Sequence, residues 1–236
     1  MKMYEVKEED GKVRQKVVRK DGTVKYYDAA SKFYDGFAAV RVGYKWGFID
    51  TDGNEICPIK YEFPFGNNKS GAFWEGYAVV GIATEEGFLK FGYINTEGKE
   101  VSPFIYTGAC DFRNGVAWVR NEEMKWLLVN TEFKTLTKRT YDKIHDFFYG
   151  HAVVELDGKF GFINESGDEM CEIKYQHMSC FTEYGLAQIT IPNTIFDRTY
   201  WIDTQGKEYY IWFDSDELHP LNWIFFIIIK KQKLFK

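Results

Sequence analysis

A nine-residue stretch, Lys45-Trp-Gly-Phe-Ile-Asp-Thr-Asp-Gly53, returns in altered form four more times, and this recurrence constrains the fold more than any other feature of the sequence. From Phe33 onward each unit carries four landmarks: a leading Phe, a turn Gly, the Trp-Gly-Phe-Ile-Asp run and a closing Tyr. The first unit has Phe33, Gly36, Trp46 and Tyr61; the second Phe73, Gly76, Phe91 and Tyr106. The third has Phe112, Gly115, Trp126 and Tyr141; the fourth Phe147, Gly150, Phe160 and Tyr175. The fifth begins with Phe181 and Gly185, keeps Tyr200-Trp201-Ile202-Asp203 in register, and has Asp214 where the closing Tyr would stand. In the first four units the aromatic and the closing Tyr lie 15 positions apart. A spacing held that tightly marks one structural unit copied in tandem.

The chain therefore divides into a degenerate opening half-unit (1–32), five repeats (33–72, 73–111, 112–146, 147–180 and 181–213) and an atypical apolar, Lys-rich tail (214–236). In the half-unit, Val13 to Arg19 and Thr23 to Tyr27 are β-prone runs joined across Lys20-Asp21-Gly22, a hairpin signal. The first repeat holds an inserted loop around Phe63 and Phe65, and insertions in repeat arrays collect on the face that meets partners.

Within a unit the period is two. Ala38, Val40 and Val42 alternate with Phe37, Ala39 and Arg41, as expected of a half-buried strand. Trp46 and Phe48 fall on one face of the next strand, and Gly47 and Ile49 on the other, with Gly47 leaving room for a ring or backbone to approach. Asp50 to Gly53 reads as a turn whose Asp side chain accepts from its own backbone. It is repeated at Asn95 to Gly98, Asn164 to Gly167 and Asp203 to Gly206, but the third unit has Asn130-Thr131-Glu132-Phe133, so its turn is expected to be strained or different. A third strand is expected at Glu55 to Ile59 and at Glu169 to Ile173. The fold class that follows is all-β: three-stranded β-meanders in an open solenoid-like array, with a closed β-propeller as the alternative. An aromatic share of 19% favours strands as well.

These landmarks resemble the WG-repeat family, bacterial proteins with tandem units built around an aromatic-Gly pair. The full pair stands at Trp46-Gly47, Phe91-Gly92 and Phe160-Gly161, and it departs at Trp126-Leu127 and Thr199-Tyr200. The resemblance covers roughly residues 33 to 210. It implies a β-repeat scaffold without assigned catalysis that mediates protein interactions, and it supplies no binding residues to carry over.

Candidate chemistry is sparse. Cys171, His177 and Cys180, with His151, lack paired Cys-x-x-Cys spacing, and Cys57 and Cys171 share one repeat position, which points to packing and to free thiols. Asp50 to Glu55 fails the EF-hand pattern because its Gly comes too early. The closing Tyr and leading Phe residues read as glue between repeats rather than as a ligand ladder. No nucleophile and base, and no carboxylate pair, announces an enzyme. The expectation is a non-catalytic scaffold without cofactor or metal that binds a protein partner through Phe63, Phe65 and Trp74, off-pattern rings that the register does not need. Glycan or cell-wall binding by exposed aromatics is the rival.

A net charge of −5 offers no basic face to a phosphate backbone, so nucleic acid is not an expected partner. The charged N-terminus carries no signal-peptide pattern, giving a cytoplasmic expectation. The uncharged run Leu221 to Ile229 is too short to span a bilayer. It reads as a capping strand, as a membrane or partner anchor, or as an out-of-frame or truncated end, the last two being favoured.

Overall fold

The computed structural model describes residues 2–7, 13–62, 72–191 and 200–210. Every regular element among the described residues is a β-strand, and all pairings between strands are antiparallel. The chain divides into two compact units, Met1–Thr135 and Leu136–Lys236.

In the first unit, Lys2–Lys7, Val13–Val18 and Val24–Tyr27 form the opening sheet. The first repeat contributes Ala29–Ala30, Phe37–Val42 and Lys45–Asp50. The second contributes the hairpin Tyr77–Ala83 with Leu89–Asn95, and the third Gly108–Ala109, Val116–Arg120 and Trp126–Asn130. The second unit repeats the plan with Lys143–Ile144, His151–Leu156 and Lys159–Asn164. Its last sheet has four strands: His177–Met178, Leu186–Thr190, Tyr200–Asp203 and Glu208–Tyr210. Among the described residues no sheet closes on itself.

The sheets of the first, third and fourth repeats are three-stranded, but their third strand is not the expected one. A two-residue strand directly after the preceding closing Tyr pairs with the first strand of the hairpin, as Ala29↔Arg41 and Ala30↔Val40 show. The segment Glu55 to Ile59 touches the sheet only through single bridges, Ile49↔Glu55 near its start and Trp46↔Tyr61 past its end. The reason lies at Gly47. A Cβ there would meet Ile59 Cγ1 at 2.9 Å and Ile59 Cα at 3.2 Å, so the segment bows across the sheet and seats Ile59 on the bare glycine. Phe104 covers Gly92 and Ile173 covers Gly161 in the same way. The aromatic-Gly pair is thus a cradle for the residue two before the closing Tyr.

The expectation of half-buried strands also needs correction, because Ala38, Ala39 and Val40 are all fully buried. The sheet of the first repeat is covered on both faces by its neighbours. Ala38, Val40 and Ile49 pack against Val17 and Tyr27 of the opening sheet, whereas Ala39 and Phe48 pack against Phe73, Ala78, Val80 and Ile94 of the second repeat. Val79 and Tyr93 then meet Ala117, Val119 and Val129 of the third. In the second unit Val153 and Phe162 pack against Ala187, Ile189 and Ile202. A small residue at the head of each strand lets sheets approach at the usual ~10 Å.

The turns close as the sequence requires. Asp50 Oδ1 accepts from the amides of Asp52 (2.9 Å) and Asn54 (2.8 Å). Asn130 makes the same bonds to Glu132 and Lys134, so the third unit keeps this turn and places Phe133 in the left-handed region at φ 59°.

Candidate functional site

Most groups capable of chemistry are engaged in joining one repeat to the next. Four closing Tyr residues are buried, and the hydroxyl of each donates to a Glu two positions past the turn residue of the following repeat. The pairs are Tyr27 to Glu55 (3.0 Å), Tyr61 to Glu100 (3.1 Å), Tyr141 to Glu169 (3.0 Å) and Tyr175 to Glu208 (2.7 Å). A cation one or two residues before the Tyr neutralises the same carboxylate: Lys25, Lys60, Arg139 and Lys174, at 2.6, 2.7, 2.8 and 3.0 Å. Charge-assisted bonds of this kind contribute about 1.5–3 kcal/mol each when shielded. Burial, then the Glu55 carboxylate, pushes the Tyr27 hydroxyl up to about 12. Burial alone would raise the Glu208 carboxyl, but Tyr175 and Lys174 outweigh it and hold it below the usual range.

The junction between the second and third repeats is built differently. Tyr106 has Phe104 and Ile105 where the cation would stand, and Thr135 occupies the Glu position. Phe133 sits where other repeats have the turn Gly, and its ring packs with Tyr93 (5.3 Å), Phe112 (5.8 Å) and Tyr77 (6.3 Å). An aromatic cluster thereby replaces the polar clasp, and the same junction gains a second tie. The turn Arg113-Asn114-Gly115-Val116 has both central residues at positive φ, and the Glu75 carboxylate accepts from the amides of Asn114 (2.6 Å) and Gly115 (2.8 Å).

Trp74 stands at this tie. It is half-buried, with the Arg113 guanidinium of the next repeat 4.6 Å from its ring centroid. Phe63 and Phe65 lie outside the described residues. Among the described residues no group of three or more His, Cys, Asp or Glu side chains converges on a metal-sized site. His151 packs against Phe162 and Phe181, and His177 lies against Phe160. Burial raises the Cys57 thiol to about 11 and the Cys171 thiol to about 12, which suits packing and not nucleophilic work.

A different row of side chains is left without a structural task. The turn between the two long strands carries an exposed apolar residue in three successive repeats of the first unit: Tyr44 (87% exposed), Phe88 (64%) and Met124 (53%). The turns beneath them are firmly closed. Asp28 accepts from the Gly43 amide at 2.6 Å, Thr84 and Phe88 pair at 2.8 Å, and Asn121 accepts from the Met124 and Lys125 amides. Consecutive tips are tied together, Lys45 to Glu62, whose amide reaches Gly81, and Lys90 to Glu122 at 2.9 Å. Around them Glu85, Glu86 and Glu123 are exposed and make no ion pair among the described residues. The sequence reading missed this row because the three residues share no type. Their common signal is position: each falls in the connection just before the second long strand, where the register asks for nothing apolar.

A family profile described as WG containing repeat matches residues 25–46, 46–81, 91–126, 128–160 and 160–191, well over half of the chain. The chain belongs to the WG containing repeat family. The WG repeats therefore include the third unit, whose Trp126-Leu127 departs from the pair, and the profile begins at the clasp cation Lys25. No curated protein matches this sequence. Among solved structures, similarity is found to BamB from Moraxella catarrhalis (TM-score 0.40, 8% identity, 85% of this chain and 70% of that one). The WD40 β-propeller domain of Doa1 matches at TM-score 0.30 and 11% identity, over 90% of each chain. HIRA(644-1017) matches at TM-score 0.33 and 8% identity over 57% of this chain, which spans 48% of that fragment's length.

Proposed function

We propose that this WG-repeat chain is a non-catalytic scaffold that binds a protein partner along one edge of its sheets. One observation carries the reading. The repeated rings and charges are engaged in the junctions, while Tyr44, Phe88 and Met124 recur on exposed, rigidly closed turns that packing does not require. Soluble surfaces rarely present apolar side chains in a row without a use for them. The inserted loop with Phe63 and Phe65, next to Trp74, is the second candidate contact.

The test uses the full chain as bait beside two variants, Tyr44→Ser/Phe88→Ser/Met124→Ser and Phe63→Ala/Phe65→Ala/Trp74→Ala, read by mass spectrometry and on a glycan array. A protein held by the parent and lost by either variant supports the scaffold and places its contact. Retention of a glycan alone would replace it with carbohydrate binding.

A further inference from the structure

The row of tips has a chemistry of its own. The three apolar side chains share this edge with Glu85, Glu86 and Glu123, exposed carboxylates that make no ion pair among the described residues, while Lys45 and Lys90 are already paired to Glu62 and Glu122. A complementary occupant is an apolar segment bearing several positive charges and no negative ones. The chain contains one. Leu221 to Lys236 holds Trp223, Phe225 and Phe226 followed by Ile227 to Ile229, then Lys230, Lys231, Lys233 and Lys236, with no Asp or Glu.

We propose that the edge formed by Tyr44, Phe88 and Met124 is a docking surface for the 221–236 segment of a second copy of this chain. The apolar part lies over the three tips, and the lysines meet Glu85, Glu86 and Glu123. The dimensions agree. Stacked sheets lie ~10 Å apart, so three tips span roughly 20 Å, which six or seven extended residues cover at ~3.3 Å each. The segment is long enough to reach past the tips to the acids. Docking also covers apolar surface on both partners, the usual driving force for association. Because the paired charges sit at an exposed rim, they set register and partner choice, and added salt weakens the association.

This proposal rests on the reading of the array as a binding scaffold, but it fails separately. The experiment is sedimentation velocity on the full chain from low to high micromolar concentration. It compares the parent, a tip reversal (Glu85→Lys/Glu86→Lys/Glu123→Lys), a tail reversal (Lys230→Glu/Lys231→Glu/Lys233→Glu) and an equimolar mixture of the two. The parent is expected to self-associate, and each reversal alone to weaken association by about tenfold or more. The mixture is expected to regain it, because each copy then meets a segment of opposite sign. Circular dichroism of each variant confirms that the sheets persist. A parent that stays monomeric overturns the proposal, as does association that survives the tip reversal, the mark of an indiscriminately adhesive segment. Either result leaves the scaffold reading to the capture experiment, where a foreign protein lost with the tips would still uphold it.

Discussion

The turn glycines that face the preceding repeat without room for a Cβ include Gly98, Gly167 and Gly206, and Gly167→Ala makes a sharp probe of how the repeats stack because Gly158 in the same repeat supplies its control. Gly167 has φ +82°, and a Cβ there would stand 2.7 Å from the Leu136 carbonyl carbon, 2.8 Å from its oxygen and 2.9 Å from its Cβ. Ordinary contact for such atoms begins near 3.4 Å, and two of the three are backbone, so the neighbouring segment must retreat by several tenths of an ångström. Gly158, in the same repeat, has φ +71° and nothing within 4 Å of the same position. Both substitutions place Ala in the left-handed region at a cost of about 1–2 kcal/mol. Gly167→Ala adds overpacking, typically a further 1–3 kcal/mol. For a chain of this size each kcal/mol lowers the midpoint by about 2–4 °C. Thermal denaturation followed by circular dichroism should place Gly167→Ala roughly 2–12 °C below Gly158→Ala. Equal midpoints would refute the claim that this turn bears directly on the preceding repeat.

Other consequences follow from the same contacts. The neutral Tyr27 hydroxyl is favoured in the folded state, where its value is near 12 against an ordinary 10. Its contribution is therefore complete below about pH 10 and lost as pH rises through 12. Tyr61, Tyr141 and Tyr175 shift the same way, so equilibrium stability should hold to about pH 10 and then fall steeply, a profile that a titration of unfolding against pH would reveal. The raised thiols of Cys57 and Cys171 predict slow labelling by iodoacetamide at pH 8, with fast labelling only in denaturant, as peptide mass spectrometry can measure. The triple variant Tyr44→Ser/Phe88→Ser/Met124→Ser removes exposed side chains only, so its midpoint should stay within about 2 °C of the parent's.

Much of this architecture was legible because the repeat register speaks directly of junctions. Closing tyrosines such as Tyr61 and leading phenylalanines such as Phe73, Phe112 and Phe181 recur because they fill the space between two sheets, and the turn at Asp50 recurs because its carboxylate satisfies its own amides. The period of two predicted strands but not their burial on both faces, since alternation on one strand says nothing of a second neighbour. The bowed segment at Glu55 to Ile59 was misread as a strand, because a β-prone run has the same composition whether it pairs or crosses. Trp74 looked free of the register, yet Arg113 and the Glu75 tie draw it into a junction. The exposed tips stayed hidden because Tyr44, Phe88 and Met124 are alike only in where they stand.

Tyr27, Tyr61, Tyr141 and Tyr175 each fasten their repeat to the next through a Glu. A double-mutant cycle on Tyr61→Phe and Glu100→Ala, measured by urea unfolding, isolates that bond. The expected coupling is about 1–2 kcal/mol, since either single change already removes the shared 3.1 Å bond. Strict additivity of the two substitutions would contradict it.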